Sequence, residues 1–134
     1  MLAVLLAAAL NASPTPCPAD LLVSNPRVKT SRGAVDGADV YVVTVDISNR
    51  GVAAQPADTR QHLDVVHDGQ VLGSQPIPVL GPQQTYAAAF RVTIPHASAS
   101  ASPARVEFHY VLDSKNAPRA NCTTVNDKLT ATLR

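Results

Sequence analysis

The chain has no tryptophan, two phenylalanines, three tyrosines and one methionine among its 134 residues. Any core must therefore be built mainly from aliphatic side chains, and the buried tryptophan that marks antibody domains is ruled out. Charge is sparse too, with Lys, Arg, Asp and Glu making up 16% of the chain and a net charge of +1. No run of Lys or Arg occurs, so the electrostatic footprint of a nucleic-acid or anionic-lipid binder is missing. Also missing are a Gly-x-Ser-x-Gly elbow, an HExxH pair, a glycine-rich phosphate loop and a Cys-x-x-Cys pair. A nucleophile needs a base and an orienting group at close range, and no motif offers that set. These absences point away from an enzyme and call for no cofactor.

The chain is rich in Val, Thr, Ala and Pro and light in Glu and Lys, which suits strands joined by Pro/Gly turns better than helices. Its length fits one domain, since single domains commonly run to about 100–200 residues, and is enough for a core without a structural metal. Met1 to Leu10 is almost wholly apolar, with small residues at Ala7, Ala8, Ala9 and Ala12. Residues 1–12 read as a secretory signal peptide, too short to span a bilayer, although no Lys or Arg precedes the apolar run. Residues 13–18 form a linker and residues 19–134 the domain. Thr15 and Pro16 before Cys17 do not fit a lipoprotein cleavage site. The expectation is an exported protein, periplasmic or secreted, with no membrane insertion once the signal is removed. In that compartment Cys17 and Cys122 most simply form one disulfide, the alternative being two inert thiols.

Alternation and turn signals predict seven strands. The first runs from Asp20 to Val28, with Asn25-Pro26 marking a bulge or an edge. Asp39 to Asn49 follows, with Tyr41, Val43, Val45 and Ile47 on one face and Val40, Val42, Thr44, Asp46 and Ser48 on the other, more polar one. Gln61 to His67 places Leu63 and Val65 inward. Asp68-Gly69 is a hairpin signal leading into Val71 to Ile77, which its flanking Pro76 and Pro78 confine to a sheet edge. Gln84 to Ile94 carries Tyr86, Ala88, Phe90, Val92 and Ile94 on one face. After a small Ala/Ser loop over Ala97 to Pro103, Arg105 to Asp113 places Val106, Phe108, Tyr110 and Leu112 inward. The last strand, Asn126 to Thr132, has Leu129 inward, and no helix is expected. The fold class this predicts is all-β: an immunoglobulin-like, seven-stranded antiparallel β-sandwich, with a closed barrel as the alternative. In such a sandwich the first strand starts at the same end as the loop before the last strand, which would bring Cys17 towards Cys122.

The order of several segments resembles the cell-adhesion-related domain found in bacteria (CARDB). Pro18-Ala19-Asp20-Leu21-Leu22-Val23 is similar to that family's opening strand, and Val43 to Gly51 to its strand ending in Asn-x-Gly. Asp68 to Gly73 looks like its hairpin, Leu80 to Thr85 like the turn before its fifth strand, and Val111-Leu112-Asp113 and Val125-Asn126-Asp127 like its carboxy-terminal region. The resemblance covers nearly everything after Cys17. One departure is that Ser114 to Thr124, with Cys122, replaces the family's acidic run. The resemblance implies envelope or surface binding, support or adhesion, and brings no catalytic residues.

The sharpest polar constellation is His62 and Asp64 on the third strand with Glu107 and His109 on the sixth. These strands are neighbours in an immunoglobulin-like sheet, so the four residues could share a patch and ligate zinc. A solvated outward face explains them more simply. Asp36 and Asp39 around Gly37, a possible calcium signal, are more economically a turn, and His67 is a turn residue. Asn11-Ala12-Ser13 and Asn121-Cys122-Thr123 match the glycosylation sequon, which matters only on a eukaryotic secretory route. The functional expectation is a module that engages a protein or glycan at the cell envelope through loops or an exposed strand edge. A structural spacer and a metal-handling protein are the competing readings, and the oligomeric state stays open.

Overall fold

The computed structural model describes residues 18–96, 103–113 and 117–134. The expected signal peptide, Cys17 and nearly all of the Ala/Ser loop lie outside these residues. Seven strands are present: β1 (Leu21–Val35), β2 (Ala38–Asn49), β3 (Gln61–His67), β4 (Gln70–Pro76), β5 (Thr85–Pro95), β6 (Arg105–Leu112) and β7 (Lys128–Thr132). They form an antiparallel three-stranded sheet, β1-β2-β5, and an antiparallel four-stranded sheet, β4-β3-β6-β7. The two layers make an immunoglobulin-like sandwich and not a closed barrel, since no strand ladder joins one sheet to the other among the described residues.

Alternation in the strands becomes burial. Tyr41, Val43, Val45 and Ile47 of β2 meet Leu63, Val65, Val106, Phe108 and Tyr110 from the facing sheet, all within one core cluster. The two phenylalanines tilt against each other with ring centroids 5.8 Å apart. Each fully buried valine or leucine contributes about 1.5–3 kcal/mol, which is how a core without tryptophan holds together. Val40 lies on the outer face yet is also buried, between Ser31 and Thr93 on the neighbouring strands.

Turns set the topology. Asp68 (φ 49°) and Gly69 (φ 76°) are both left-handed, the signature of the hairpin turn whose twist matches its flanking strands. That turn ties β4 to β3, whereas a constant-type immunoglobulin domain places its fourth strand in the other sheet, beside the fifth. The predicted bulge at Asn25-Pro26 appears as a register shift between Ser24 and Arg27, with Asn25 at φ 54°.

Three expectations need correction. β1 runs past Val28 to Val35 and turns at Asp36-Gly37 into β2, because the backbone ladder continues through a segment without apolar alternation. The chain is not helix-free: Ala117–Ala120 forms a single α-helical turn. β7 begins at Lys128: just before it Asn126 gives its carbonyl to Val23 of β1, and Asp127 gives its carbonyl to Tyr110 of β6. No helix among the described residues is long and apolar enough to cross a membrane.

Candidate functional site

Residues 62 and 64 of β3 and residues 107 and 109 of β6 share the outer face of the four-stranded sheet. Asp64 lies directly across from His109, while His62 pairs with Val111 and Glu107 with Val66. The side chains do not converge. His62 sits between two carboxylates, with Nδ1 2.7 Å from Asp113 Oδ2 and Nε2 3.3 Å from Asp64 Oδ1. His109 turns instead to Glu107, Nε2 to Oε2 2.7 Å. Ser74 Oγ donates to Asp64. Among the described residues, no group of three or more His, Cys, Asp or Glu has an arrangement that could hold a metal ion. Nor is this a Ser-His-Asp triad: Ser74 and His62 both bond Asp64, so among the described residues no imidazole contacts the hydroxyl. What the arrangement does is favour the protonated imidazole. Partial burial opposes the charged form of His62, but the Asp113 and Asp64 carboxylates outweigh it and raise His62 above the ordinary imidazole range.

The most constrained polar groups lie elsewhere, several of them in the segments that carry the family resemblance, although the sequence does not show their buried bonding. Asn49 is fully buried. Its Oδ1 accepts from Asp20 N–H (3.2 Å) and Gly51 N–H (2.9 Å), while Nδ2 donates to the Ala53 (2.9 Å) and Leu80 (3.1 Å) carbonyls. Gly51 follows from the same packing, because a Cβ there would sit 2.3 Å from the Pro18 carbonyl oxygen. The Asn-x-Gly pattern is thus a clamp that closes one end of the sandwich. Gln55 and Gln61 exchange side-chain amide bonds (2.7 and 2.8 Å), and Gln55 reaches the Ala120 carbonyl (2.9 Å). Tyr110 donates its hydroxyl to Gln61, and burial pushes that hydroxyl well above the usual phenol value. Satisfied amides of this kind rigidify and do not react.

Asp20 and the segment before β7 form a second clamp. The Asp20 carboxylate accepts from Thr123 Oγ1 (3.0 Å) and Asn126 Nδ2 (3.2 Å), and the Leu21 N–H donates to Asn121 Oδ1 (3.0 Å). Asn121 Nδ2 donates to Asp127 Oδ1 (2.9 Å). Burial pushes the Asp127 carboxyl up, with the Asn121 bond opposing and the nearby Asp20 charge adding to it. With Asn121 buried and both ends of its amide bonded, the second sequon is closed to a glycan. Gly37, at φ 74°, confirms the turn between β1 and β2, and Asp39 pairs with His96 (3.0 Å).

The two lateral sides of the sandwich differ. On one side β1 is stitched to the end of the chain: Val23 N–H donates to the Asn126 carbonyl (3.2 Å) and Thr30 Oγ1 to the Arg134 carbonyl. On the other side, among the described residues, β4 and β5 share one hydrogen bond, from Gln75 Nε2 to the Tyr86 hydroxyl (3.0 Å). Beside the β3–β4 turn lies an open groove of about 460 Å³ lined by Val66, Asp68, Gly69, Arg105, Glu107 and Thr130.

Among the described residues no reactive site converges, and the all-β sandwich, closed by amide clamps, is immunoglobulin-like in fold. Within that class it shares the fold of a CARDB domain from Pyrococcus furiosus, whose crystal structure is a complex with di-metal ions: the two are 15% identical, the match covers 89% of this chain and 96% of that one, and the TM-score is 0.56. A Bordetella pertussis protein assigned as ApaA is 17% identical over 90% of this chain and 93% of its own, with a TM-score of 0.47. No protein-family profile matches the chain, and no curated protein matches it.

Proposed function

We propose that the chain is a non-catalytic module of the cell envelope, exported and stapled by a Cys17–Cys122 disulfide, that docks a protein or glycan through loops or an open strand edge. The observation that carries this reading is the open β4–β5 side, in a sandwich whose opposite side is stitched to the chain end and whose buried amide side chains are consumed in clamps. Unpaired backbone groups along a strand edge are a ready docking surface. The Cys122 N–H donates to the Ala19 carbonyl (2.9 Å), two residues from Cys17, and this proximity supports the staple. The likeness to the CARDB fold favours binding or support over catalysis.

Affinity capture from native cell envelopes, with a reduced control and a glycan array in parallel, tests the reading. A reproducible protein or glycan that is lost on reduction supports it, and recovery of neither overturns it. A metal-handling role is the competing reading: the di-metal ions bound to the Pyrococcus furiosus domain speak for it, and the unconverged His62, Asp64, Glu107 and His109 side chains speak against it. Native mass spectrometry with zinc would support that role if the metal binds and is lost on His62→Ala.

A further inference from the structure

The sandwich has four strand edges, and three carry devices that oppose pairing with another chain. β1 is interrupted by its bulge and stitched to the chain end. β4 has a register shift against Val65 and Val66 and ends on Pro76. β7 is five residues long and opens on Lys128. β5 keeps an unbroken register with β2 from Thr85 to Pro95, and Arg91 is its single charged residue. The place beside it is where a constant-type domain puts its fourth strand.

The ladder shows which backbone groups are available. Asn49 N–H donates to the Gln84 carbonyl (3.0 Å) and His96 N–H to the Gly37 carbonyl (2.9 Å). In an antiparallel pair such partners alternate, so even-numbered residues of β5 turn their backbone towards β2 and odd-numbered ones turn it away. Thr85, Ala87, Ala89, Arg91 and Thr93 therefore aim N–H and C=O groups at the open side, and all five are exposed. This row spans about 27 Å at strand rise.

We propose that β5 pairs with β5 of a second copy, antiparallel about a two-fold axis at Ala89, joining two three-stranded sheets into one of six strands. The proposal deepens the edge-docking reading by naming the occupant of this edge. Two observations select it. The residues next to the axis are small, so among the described residues nothing on the outer face blocks the approach. The charges also complement each other. With the axis at Ala89, Arg91 faces Ala87 of the partner subunit, and Asp46 is the neighbour of Ala87 on β2. Arg91 then lies about two strand spacings, roughly 10 Å, from Asp46 of the partner subunit, with only an alanine methyl between. Arg91 has no hydrogen bond or ion pair among the described residues. Asp46 already receives Arg27 and Asn25 across both oxygens, and a carboxylate has room for another donor. Only one strand per copy contributes, so the interface is small and the dimer is concentration-dependent.

Light scattering from micromolar to millimolar protein, together with amide hydrogen exchange, tests this. The expected result is a dimer at high concentration, with slowed exchange at Ala87, Ala89 and Arg91. Ala89→Lys sets like charges across the axis at an exposed site. It should be monomeric throughout with unchanged melting in dilute solution, and Arg91→Glu should weaken the dimer several-fold. A wild-type protein that stays monomeric overturns the proposal, as does a dimer that survives Ala89→Lys. A monomer that still captures an envelope partner removes the self-pairing and leaves the docking reading intact. A dimer that captures nothing does the reverse.

Discussion

Replacing Asn49 by alanine leaves the Asp20 and Gly51 N–H groups and the Ala53 carbonyl without that partner, while the Leu80 carbonyl keeps the Gln55 N–H. An unmet buried group costs about 1–3 kcal/mol, so Asn49→Ala should lose at least about 3 kcal/mol in urea unfolding. Gly51→Ala forces a methyl against backbone that cannot swing aside, and should cost about 1–3 kcal/mol or more in the same assay. His62 gives a signature in pH. Its folded value is raised, so its contribution is fully present below the unfolded value of about 6.5 and fades as pH rises through the folded value. The stability difference between the wild type and His62→Gln, measured by denaturant melts from pH 5.5 to 9, should therefore shrink towards alkaline pH. Asp113→Asn should flatten that trend.

At the scale of elements, the Asp68-Gly69 turn decides which sheet β4 joins. A side chain at Gly69 meets nothing within 4 Å, so only its left-handed backbone resists substitution. Gly69→Ala should cost about 1–2 kcal/mol, and Gly69→Asn, which tolerates that conformation, should cost less in thermal melts. The hairpin was legible because Asp-Gly carries its own mechanism, and β2, β3, β5 and β6 were legible because one half-buried face writes a period of two. The second half of β1 was not: Lys29, Thr30 and Ser31 show no apolar alternation on an edge strand. Four residues of helix, one of them Pro118, are too few to show a helical period. The amide clamps were hidden for a different reason. Asn49, Gln55 and Gln61 read as turn or surface residues by type, and only the folded chain brings residues far apart in sequence together. The four-residue His/carboxylate patch was placed correctly on neighbouring strands, but its side chains pair off in ways that spacing does not encode.

For the whole molecule, the proposed Cys17–Cys122 staple would close nearly the full domain into one loop, worth about 4–5 kcal/mol in the chain-entropy model. A thiol assay should find no free cysteine in the unfolded, unreduced protein, and reduction should lower the melting temperature without changing the strand content by circular dichroism. Two free thiols would remove the staple from the reading.

The stitches between β1 and the chain end also have a mechanical meaning. Val23 contacts Asn126 and Thr30 contacts Arg134, so the two segments run in the same direction, with residue 18 at one end of the sandwich and residue 134 at the other. Tension applied between those points pulls along both segments at once and loads their cross-links in shear. Such links must yield together, whereas a hairpin pulled open at its mouth unzips one bond at a time.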